Sequence, residues 1–485
     1  MVRRDAGHGA RTEAGRLRTW LALLVVLALT AGIAATYRYD LADRWFPRDP
    51  AGPVDPAAVA PPSGLDLPAL VAPSAVAAPV AARPPDAAAV RRALAPYLRD
   101  RDLGRHVLAA VGGLRGPATY SLGGGTAIPA STTKLLTGLA ALSALGPTRT
   151  FETRVVRTGR RVVLVGGGDP FLASTPPTAE DPAWPARADV TTLAKQTARA
   201  LLADGVSSVR VGYDDSLFTG PAVNPHWPAD YLPDGVVAPI TALWVDEGRP
   251  ATGVGRVEDP SRSAAQVFAA ALRDSGITTV GDPGTATAPA AATPVAEVRS
   301  APLDQIVEQS LLVSDNEATE VLLRHVGLAA GGEASSAAGG RAVREVLRDL
   351  GVPVTGLVLH DGSGLSRENR IAPATLLGVL RQAATGSPAL RSVLGGLPVA
   401  AFSGSLAGRF DQGAPEGRGR VRAKTGTLTG VSSLAGIATS VDGTPMLFVL
   451  MADRIRPENT LDARAAIDGA AAALGACACA GTVVP

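Results

Sequence analysis

The sequence predicts a mixed α/β fold, in which an antiparallel sheet is flanked by helices and a second, mixed α/β domain is inserted into the chain. One observation is the spacing of the leucines in residues 135–142, which follows one face of a helix. Another is a series of strand-like runs near the C-terminus, with a hairpin turn at Asp442-Gly443. The third is the alternation of helical and short strand-like segments between Arg149 and Arg299, which indicates the insertion.

The elements of the predicted core domain lie in two parts of the chain, residues 86–150 and 300–485. The first part predicts a helix at 86–99, a strand at 106–111 and a helix that contains Ser131 and ends at Leu145-Gly146-Pro147, because glycine and proline terminate helices. The second part predicts helices at 303–312, 317–326 and 459–474, a strand at 354–359, a strand-like passage at 422–440 and a strand at 446–451.

The inserted domain is expected at residues 151–299. Its first element is a hairpin at 153–165 that turns at Thr158-Gly159, where two β-branched runs meet. A helix at 190–202, a strand at 206–213, a helix at 261–273 and short strands near Ile277 and Val295 follow.

The N-terminal residues 1–45 predict a cytoplasmic tail and a signal-anchor helix. Several arginines precede an uncharged, mostly apolar segment at about 20–37, which is long enough to span a membrane. Small residues around Gly32, Ala34 and Ala35 also allow a cleaved signal peptide. We therefore expect a single-pass protein of the cell membrane with an extracytoplasmic folded part, or a secreted protein if the segment is cleaved. Residues 46–85, rich in proline and alanine, predict a spacer.

Charge and cysteine content limit the function classes. The formal net charge of +2 and the absence of basic blocks with interleaved aromatic residues argue against a nucleic-acid partner. Cys477 and Cys479 could form a small disulfide outside the cell or remain two idle thiols, and they are too few for a metal site. We expect no metal and no cofactor.

Lysine is rare in this sequence, and two of its three positions, Lys134 and Lys424, fall in short motifs. Of the 46 basic residues, only Lys134, Lys195 and Lys424 are lysines. Arginine does not release its proton in a protein, whereas a lysine can be tuned to act as a base. Lys134 follows Ser131 at i+3, on the same side of the predicted helix start, where a neutral amine could remove the hydroxyl proton.

Three short motifs occur in order along the chain: Ser131-x-x-Lys134, Ser314-Asp315-Asn316 and Lys424-Thr425-Gly426. Each has an ordinary structural interpretation by itself, since Asp315 and Asn316 could simply cap a helix and Lys424 could be a strand-edge lysine. Together they are the signature of class A β-lactamases and penicillin-binding proteins.

Residues 86–485 resemble the D-alanyl-D-alanine carboxypeptidase/endopeptidase family, the class C low-molecular-mass penicillin-binding proteins. The stretches that carry the resemblance are 130–136 (ASTTKLL), 166–170 (GGGDP), 361–366 (DGSGLS) and 423–428 (AKTGTL). The resemblance implies a β-lactamase/transpeptidase-like fold, peptidoglycan stem peptides as substrates and β-lactams as acylating inhibitors. Larger members carry more sequence between the first two motifs, so we expect one small inserted domain here.

The predicted chemistry is acyl transfer from a D-alanyl-D-alanine peptide. Ser131 would attack the carbonyl carbon and Lys134 would take its proton, with like-charge repulsion from Lys424 lowering the Lys134 pKa. Ser314 would relay the proton to the leaving amine, and Asn316 would hold Lys134 and the substrate amide. The resemblance implies an oxyanion hole of the Ser131 and Thr427 backbone N–H groups. The substrate carboxylate would meet Lys424 and the residues after it, Thr425, Gly426 and Thr427.

Two alternatives share the fold. A serine β-lactamase of class A would carry a Glu-x-x-Leu-Asn motif for deacylation, and none lies between the second and third motifs. A wall-binding protein without turnover could also keep the fold, although the intact motifs argue against it. An ordinary Ser-His-Asp hydrolase is disfavoured because no Gly-x-Ser-x-Gly occurs. The balance between carboxypeptidase and endopeptidase action stays open, because both reactions break a bond to D-alanine.

Overall fold

The computed structural model describes residues 84–178, 182–411 and 413–481. Its strands are β1 (Val107–Gly112), β2 (Ala118–Leu122), β3 (Glu152–Thr158), β4 (Arg161–Val165), β5 (Ser208–Asp214), β6 (Thr278–Thr279), β7 (Gly284–Thr285), β8 (Thr293–Arg299), β9 (Val421–Leu428), β10 (Val431–Thr439) and β11 (Pro445–Asp453). Its helices are α1 (Ala87–Leu98), α2 (Lys134–Leu145), α3 (Val190–Ala203), α4 (Pro260–Asp274), α5 (Leu303–Leu312), α6 (Asn316–Ala329), α7 (Ser336–Asp349), α8 (Pro373–Thr385), α9 (Ser392–Gly395) and α10 (Thr460–Ala476).

The core sheet has five antiparallel strands in the order β2-β1-β11-β10-β9. Successive side chains of a strand point to opposite faces, and here both faces are covered by helices. Leu447, Val449 and Met451 of β11 pack in the cluster that includes α2 and α5 to α8, whereas Phe448 and Leu450 pack with α1 and α10. Residues 446–452 of the central strand β11 are therefore all apolar, because both of its faces are buried. The strand that carries Lys424, β9, forms an edge of this sheet, as predicted.

A second sheet is formed within residues 152–299. Its strand order is β6-β5-β4-β3-β8, with β7 also paired to β5. The pairs of β3 are antiparallel, and the pairs of β5 are parallel. Leu193 of α3 and Phe268 of α4 are fully buried against this sheet. The mixed α/β character predicted for the insertion is confirmed.

The second half of the chain differs from the sequence expectation at one predicted strand and at two helices. Residues 354–359 are not a strand, because only Val358 pairs there, in an isolated bridge with Arg370. Strand formation needs a neighbouring backbone over several residues, and the chain supplies it at one position only. The helices α7 and α8 were not predicted, and their apolar residues complete the helical layer over one face of the core sheet.

The predicted membrane segment and spacer, residues 1–83, lie outside the described residues. Within the described ranges, no helix is both long enough and apolar enough to cross a membrane. At the other end, Cys477 and Cys479 are joined in a disulfide. The interpretation of this pair as a small disulfide is confirmed, and that of two idle thiols is wrong.

Candidate active site

The first motif lies in a tight turn against the edge strand. Residues Ala130–Thr133 form a single 3-10 turn, and the α-helix begins only at Lys134. Ala130 has a φ of 48°, a left-handed conformation that is rare for a residue with a side chain. Its carbonyl fills the place where a Cβ of Gly364 would lie, 1.9 Å away, so only glycine fits there. Ser131 is thus held just before the helix start, rather than inside the first helical turn as predicted.

Lys134 is completely buried beside Ser131. Its Nζ lies 3.1 Å from Ser131 Oγ, 2.8 Å from Asn316 Oδ1 and 2.7 Å from the carbonyl oxygen of Ser363. A neutral amine has two N–H donors and one lone pair. It can therefore donate to Asn316 and Ser363 while its lone pair accepts the hydroxyl proton of Ser131.

Burial lowers the pKa of Lys134 to about 8. Water that would solvate an ammonium is excluded, so the charged form is disfavoured. The nearby carboxylates, of which Asp361 and Asp315 have the largest effect, act in the opposite direction. The sequence prediction named repulsion from Lys424, whereas burial is the main cause of the lowered Lys134 pKa. Burial also lowers the pKa of Lys424 well below its ordinary value, and repulsion between the two lysines adds to this effect.

The second motif is the turn between α5 and α6. Ser314 has a φ of 63°, and such strain in a non-glycine residue is concentrated at functional sites. Asp315 is the N-cap of α6, since its Oδ1 accepts from the Ala318 N–H at 2.8 Å. The capping interpretation of Asp315 is thus confirmed. Burial, together with Glu247 and Glu317, raises the pKa of Asp315 well above its ordinary value.

The third motif brings Lys424 into the same site. Its buried Nζ donates to Ser314 Oγ at 2.8 Å and to the carbonyl oxygen of Thr425 at 3.1 Å. The Thr425 hydroxyl is 2.9 Å from Ser405 Oγ, while Thr427 is exposed. Gly426 is buried, and a Cβ there would lie 2.6 Å from the carbonyl oxygen of Pro129. Glycine at this position lets the Ser131 turn pack directly on β9.

Comparisons with known proteins identify the family of the chain. The model of the D-Ala-D-Ala carboxypeptidase 3 (S13) family matches residues 90–256 and 248–474. Carboxypeptidase Rv3627c of Mycobacterium tuberculosis is 37% identical over 407 residues, which are 81% of this chain and 85% of that protein. The chain belongs to the S13 family.

Other relatives agree with the assignment. The D-alanyl-D-alanine carboxypeptidase of Actinomadura sp. is 31% identical over an alignment that covers 68% of this chain and 74% of that protein. The crystal structure of penicillin binding protein 4 (dacB) from Haemophilus influenzae has the same fold, with a TM-score of 0.62 at 21% identity over 76% of this chain and 93% of that one. The predicted family and the predicted β-lactamase/transpeptidase-like fold are both confirmed.

The chain is therefore a serine-type D-alanyl-D-alanine carboxypeptidase, a peptide hydrolase among the penicillin-binding proteins of the cell wall. In this S13 protein, the hydrogen bonds described above connect Ser131, Lys134 and Asn316 in one network and Ser314 and Lys424 in a second. Motifs separated by more than a hundred residues thus converge on one face of the core domain.

Sequence reasoning missed a buried glutamate that supports the S13 site. Oε1 of Glu320 accepts from the N–H groups of Gly362 and Ser363 at 2.9 Å and 2.8 Å, and Oε2 has no partner. Burial, with the charge of Asp361 next in effect, raises the pKa of Glu320 to about 8. These bonds aim the Ser363 carbonyl at Lys134. The sequence signal was available, because Glu320 lies one helical turn after Asn316 on α6.

The loop at residues 361–366 has a second anchor in Asp361. Its Oδ2 accepts from Trp227 Nε1 at 2.9 Å and from the Ser366 N–H at 2.6 Å, and its Oδ1 accepts from Asn369 Nδ2 at 2.6 Å. This loop is one of the stretches that carry the family resemblance, and no role was predicted for its side chains. Its role is to hold the Ser363 carbonyl in place, and Trp227 shows that the inserted region takes part.

Proposed function

We propose that Ser131 is the nucleophile that cleaves the terminal D-alanyl-D-alanine bond of peptidoglycan stem peptides. The observation that carries this is the 3.1 Å distance between Ser131 Oγ and the buried Nζ of Lys134. In the first step, Lys134 accepts the hydroxyl proton as Oγ bonds to the carbonyl carbon. The new oxyanion is stabilised by the Ser131 and Thr427 backbone N–H groups, where loss of one donor costs about 3 kcal/mol of transition-state free energy.

The collapse of this intermediate requires a proton on the leaving amine. Ser314 relays it: its hydroxyl donates a proton to the leaving nitrogen while its oxygen takes up the proton that Lys134 accepted from Ser131, so that Lys134 becomes neutral again. Lys424 Nζ, which donates to Ser314 Oγ at 2.8 Å, holds this hydroxyl in place. The C–N bond breaks, D-alanine leaves, and the acyl group remains on Ser131 as an ester. Water then attacks this ester and gives a proton to Lys134, which passes it to Ser131 Oγ as the C–O bond breaks and the shortened stem peptide is released.

Recognition of the terminal carboxylate is assigned to the C-terminal half of β9. A bound carboxylate favours the charged form of Lys424, so this lysine supplies the cation, and the hydroxyls of Thr425 and Thr427 supply uncharged donors. Ser405 supports this assignment because its hydrogen bond fixes the Thr425 hydroxyl. Gly426 has no side chain to offer the carboxylate, and its α-carbon packs against the Pro129 carbonyl oxygen. It therefore contributes to this part of the site through its backbone.

A penicillin is expected to acylate the same serine. Its β-lactam carbonyl replaces the peptide carbonyl, and ring opening leaves an ester on Ser131 whose leaving group stays attached. The site lacks a dedicated glutamate for deacylation of the class A type, which supports a long-lived adduct.

The test replaces Ser131 with alanine. We expect release of D-alanine from a pentapeptide and labelling by fluorescent penicillin to fall at least a thousandfold, with unchanged thermal melting. Equal activity in both proteins would refute the assignment, and absence of D-alanine release by both would favour an idle wall-binding protein. Digestion of pentapeptide monomers and cross-linked muropeptide dimers side by side separates carboxypeptidase from endopeptidase action.

We also propose that the segment at residues 20–37 anchors the protein in the cell membrane with the enzyme outside. The apolar length of the segment and its basic flank support this. Membrane fractionation followed by alkaline extraction tests it. A soluble protein whose intact mass lacks the first forty or so residues would establish a cleaved signal peptide instead.

A further inference from the structure

Two histidines and a glutamate from separate parts of the chain meet on the surface beside the active-site loop. His226 Nδ1 is 2.7 Å from Glu368 Oε2, and His360 Nε2 is 3.7 Å from the same oxygen. One ligand atom of each residue lies within 4.8 Å of those of the other two. The two imidazole rings are 3.9 Å apart between centroids. We propose that His226, His360 and Glu368 form a binding site for a divalent transition-metal ion such as Zn²⁺.

The backbone around the two histidines is fixed by buried asparagines. Asn224 accepts from the His226 N–H at 3.0 Å through Oδ1 and donates to the His360 carbonyl at 2.7 Å through Nδ2. Asn369, which is fully buried, accepts from the His360 N–H at 2.8 Å. Both histidines are thus held in place from the protein side, while their rings reach the surface. Preorganised backbone of this kind lowers the entropy lost when ligands are ordered around an ion.

The donor set selects the class of metal. Two imidazoles and one carboxylate suit Zn²⁺, Ni²⁺, Cu²⁺ or Co²⁺, whereas Ca²⁺ and Mg²⁺ require mainly oxygen ligands. Metal–ligand bonds of about 2.0–2.1 Å place tetrahedral donors roughly 3.4 Å apart. The present separations of 2.7 and 3.7 Å bracket that value. The Glu368 side chain is 61% exposed, so it can make the shift of roughly 0.7 Å that these separations require.

The exposed side of the cluster leaves room for water to complete the coordination. The His226 and His360 side chains are 38% and 27% exposed, respectively. Three protein ligands and an open position are the pattern of accessible zinc sites rather than closed structural ones. We therefore expect a site that exchanges its ion with the solution.

Occupancy would connect the inserted region to the loop that supports Lys134. His226 belongs to the inserted residues, whereas His360 and Glu368 bracket the loop at 361–366, whose Ser363 carbonyl accepts from Lys134. An ion bound by all three side chains restrains both segments in the folded state. Because such an ion binds the folded chain in preference to the unfolded one, it stabilises the protein.

The test is calorimetric titration of ZnCl₂ into metal-free protein that carries no histidine tag. We expect saturable binding with one ion per chain, a higher melting temperature with Zn²⁺, and visible absorption bands when Co²⁺ replaces it. His226→Ala and His360→Ala should each weaken binding at least tenfold. Glu368→Gln, which is nearly isosteric and lies on the surface, should also weaken binding, and it guards against a variant that fails to fold.

The matched control is Glu333→Gln, which changes an exposed glutamate outside the cluster and should bind Zn²⁺ like the unaltered protein. Absence of saturable binding to the unaltered protein would overturn the proposal. So would binding of one ion that persists with equal affinity when both histidines are replaced. Because these readouts do not involve D-alanine release, they are independent of the catalytic assignment.

Discussion

The rate of acylation should depend on pH through Lys134. Its pKa of about 8 compares with an ordinary lysine value of 10.5. That difference corresponds to about 3 kcal/mol against the charged form, and it raises the neutral fraction at pH 7 from roughly one in three thousand to roughly one in ten. The active form is the deprotonated amine, so activity is lost as the pH falls below 8. Between pH 6 and pH 8 the rate should rise about fiftyfold and then level off above pH 9.

The assay is stopped-flow labelling with a fluorescent penicillin at pH values from 6 to 9.5, in a buffer of constant ionic strength. Lys134→Arg keeps a cation that cannot release its proton, so we expect its labelling to fall to background throughout. Lys195→Arg changes an exposed lysine on α3 and serves as the matched control with an unaltered profile.

A labelling rate that stays flat across this range would refute the reasoning. It would mean that Lys134 does not titrate in this range, and that its protonation does not control the rate. Retention of activity by Lys134→Arg would refute the assignment of the base itself.

Three further outcomes are expected. Gly426→Ala should destabilise the protein by about 1–3 kcal/mol in urea unfolding and slow acylation, because the new Cβ approaches the Pro129 carbonyl oxygen. Gly124→Ala is the control, since no heavy atom lies within 4 Å of its added Cβ. An equal loss of stability in both variants would contradict this prediction. Glu320→Ala leaves two buried N–H groups without an acceptor and should lose about 2–4 kcal/mol of stability in urea unfolding. Glu320→Gln keeps an acceptor and should lose much less. Equal losses in the two variants would mean that Glu320 does not anchor the loop at 361–366. A penicillin adduct on Ser131 should persist for many enzyme turnovers by intact mass, and rapid hydrolysis with turnover would indicate a β-lactamase.

The core of the fold was predictable because its elements carry strong local signals. The leucines after Lys134 are buried on the helix face that their spacing indicates, and the apolar run of β11 is buried on both faces. Residues 354–359 were misjudged because an apolar run becomes a strand only when a partner backbone lies beside it. The helices α7 and α8 were overlooked, although their burial is what closes one face of the sheet.

The sequence by itself determined the chemical groups of the site: one serine next to a lysine, a second serine near an asparagine, and one further lysine. These follow from residue types and short spacings, which need no knowledge of the fold. Only the tertiary structure decided the state of Lys134, because its pKa depends on the exclusion of water by residues distant in the chain. The same is true of the hydrogen bonds that join Glu320 to the loop at 361–366, and of the meeting of His226 with His360 and Glu368. Solvation and through-space contacts are properties of the folded chain, and no local pattern encodes them.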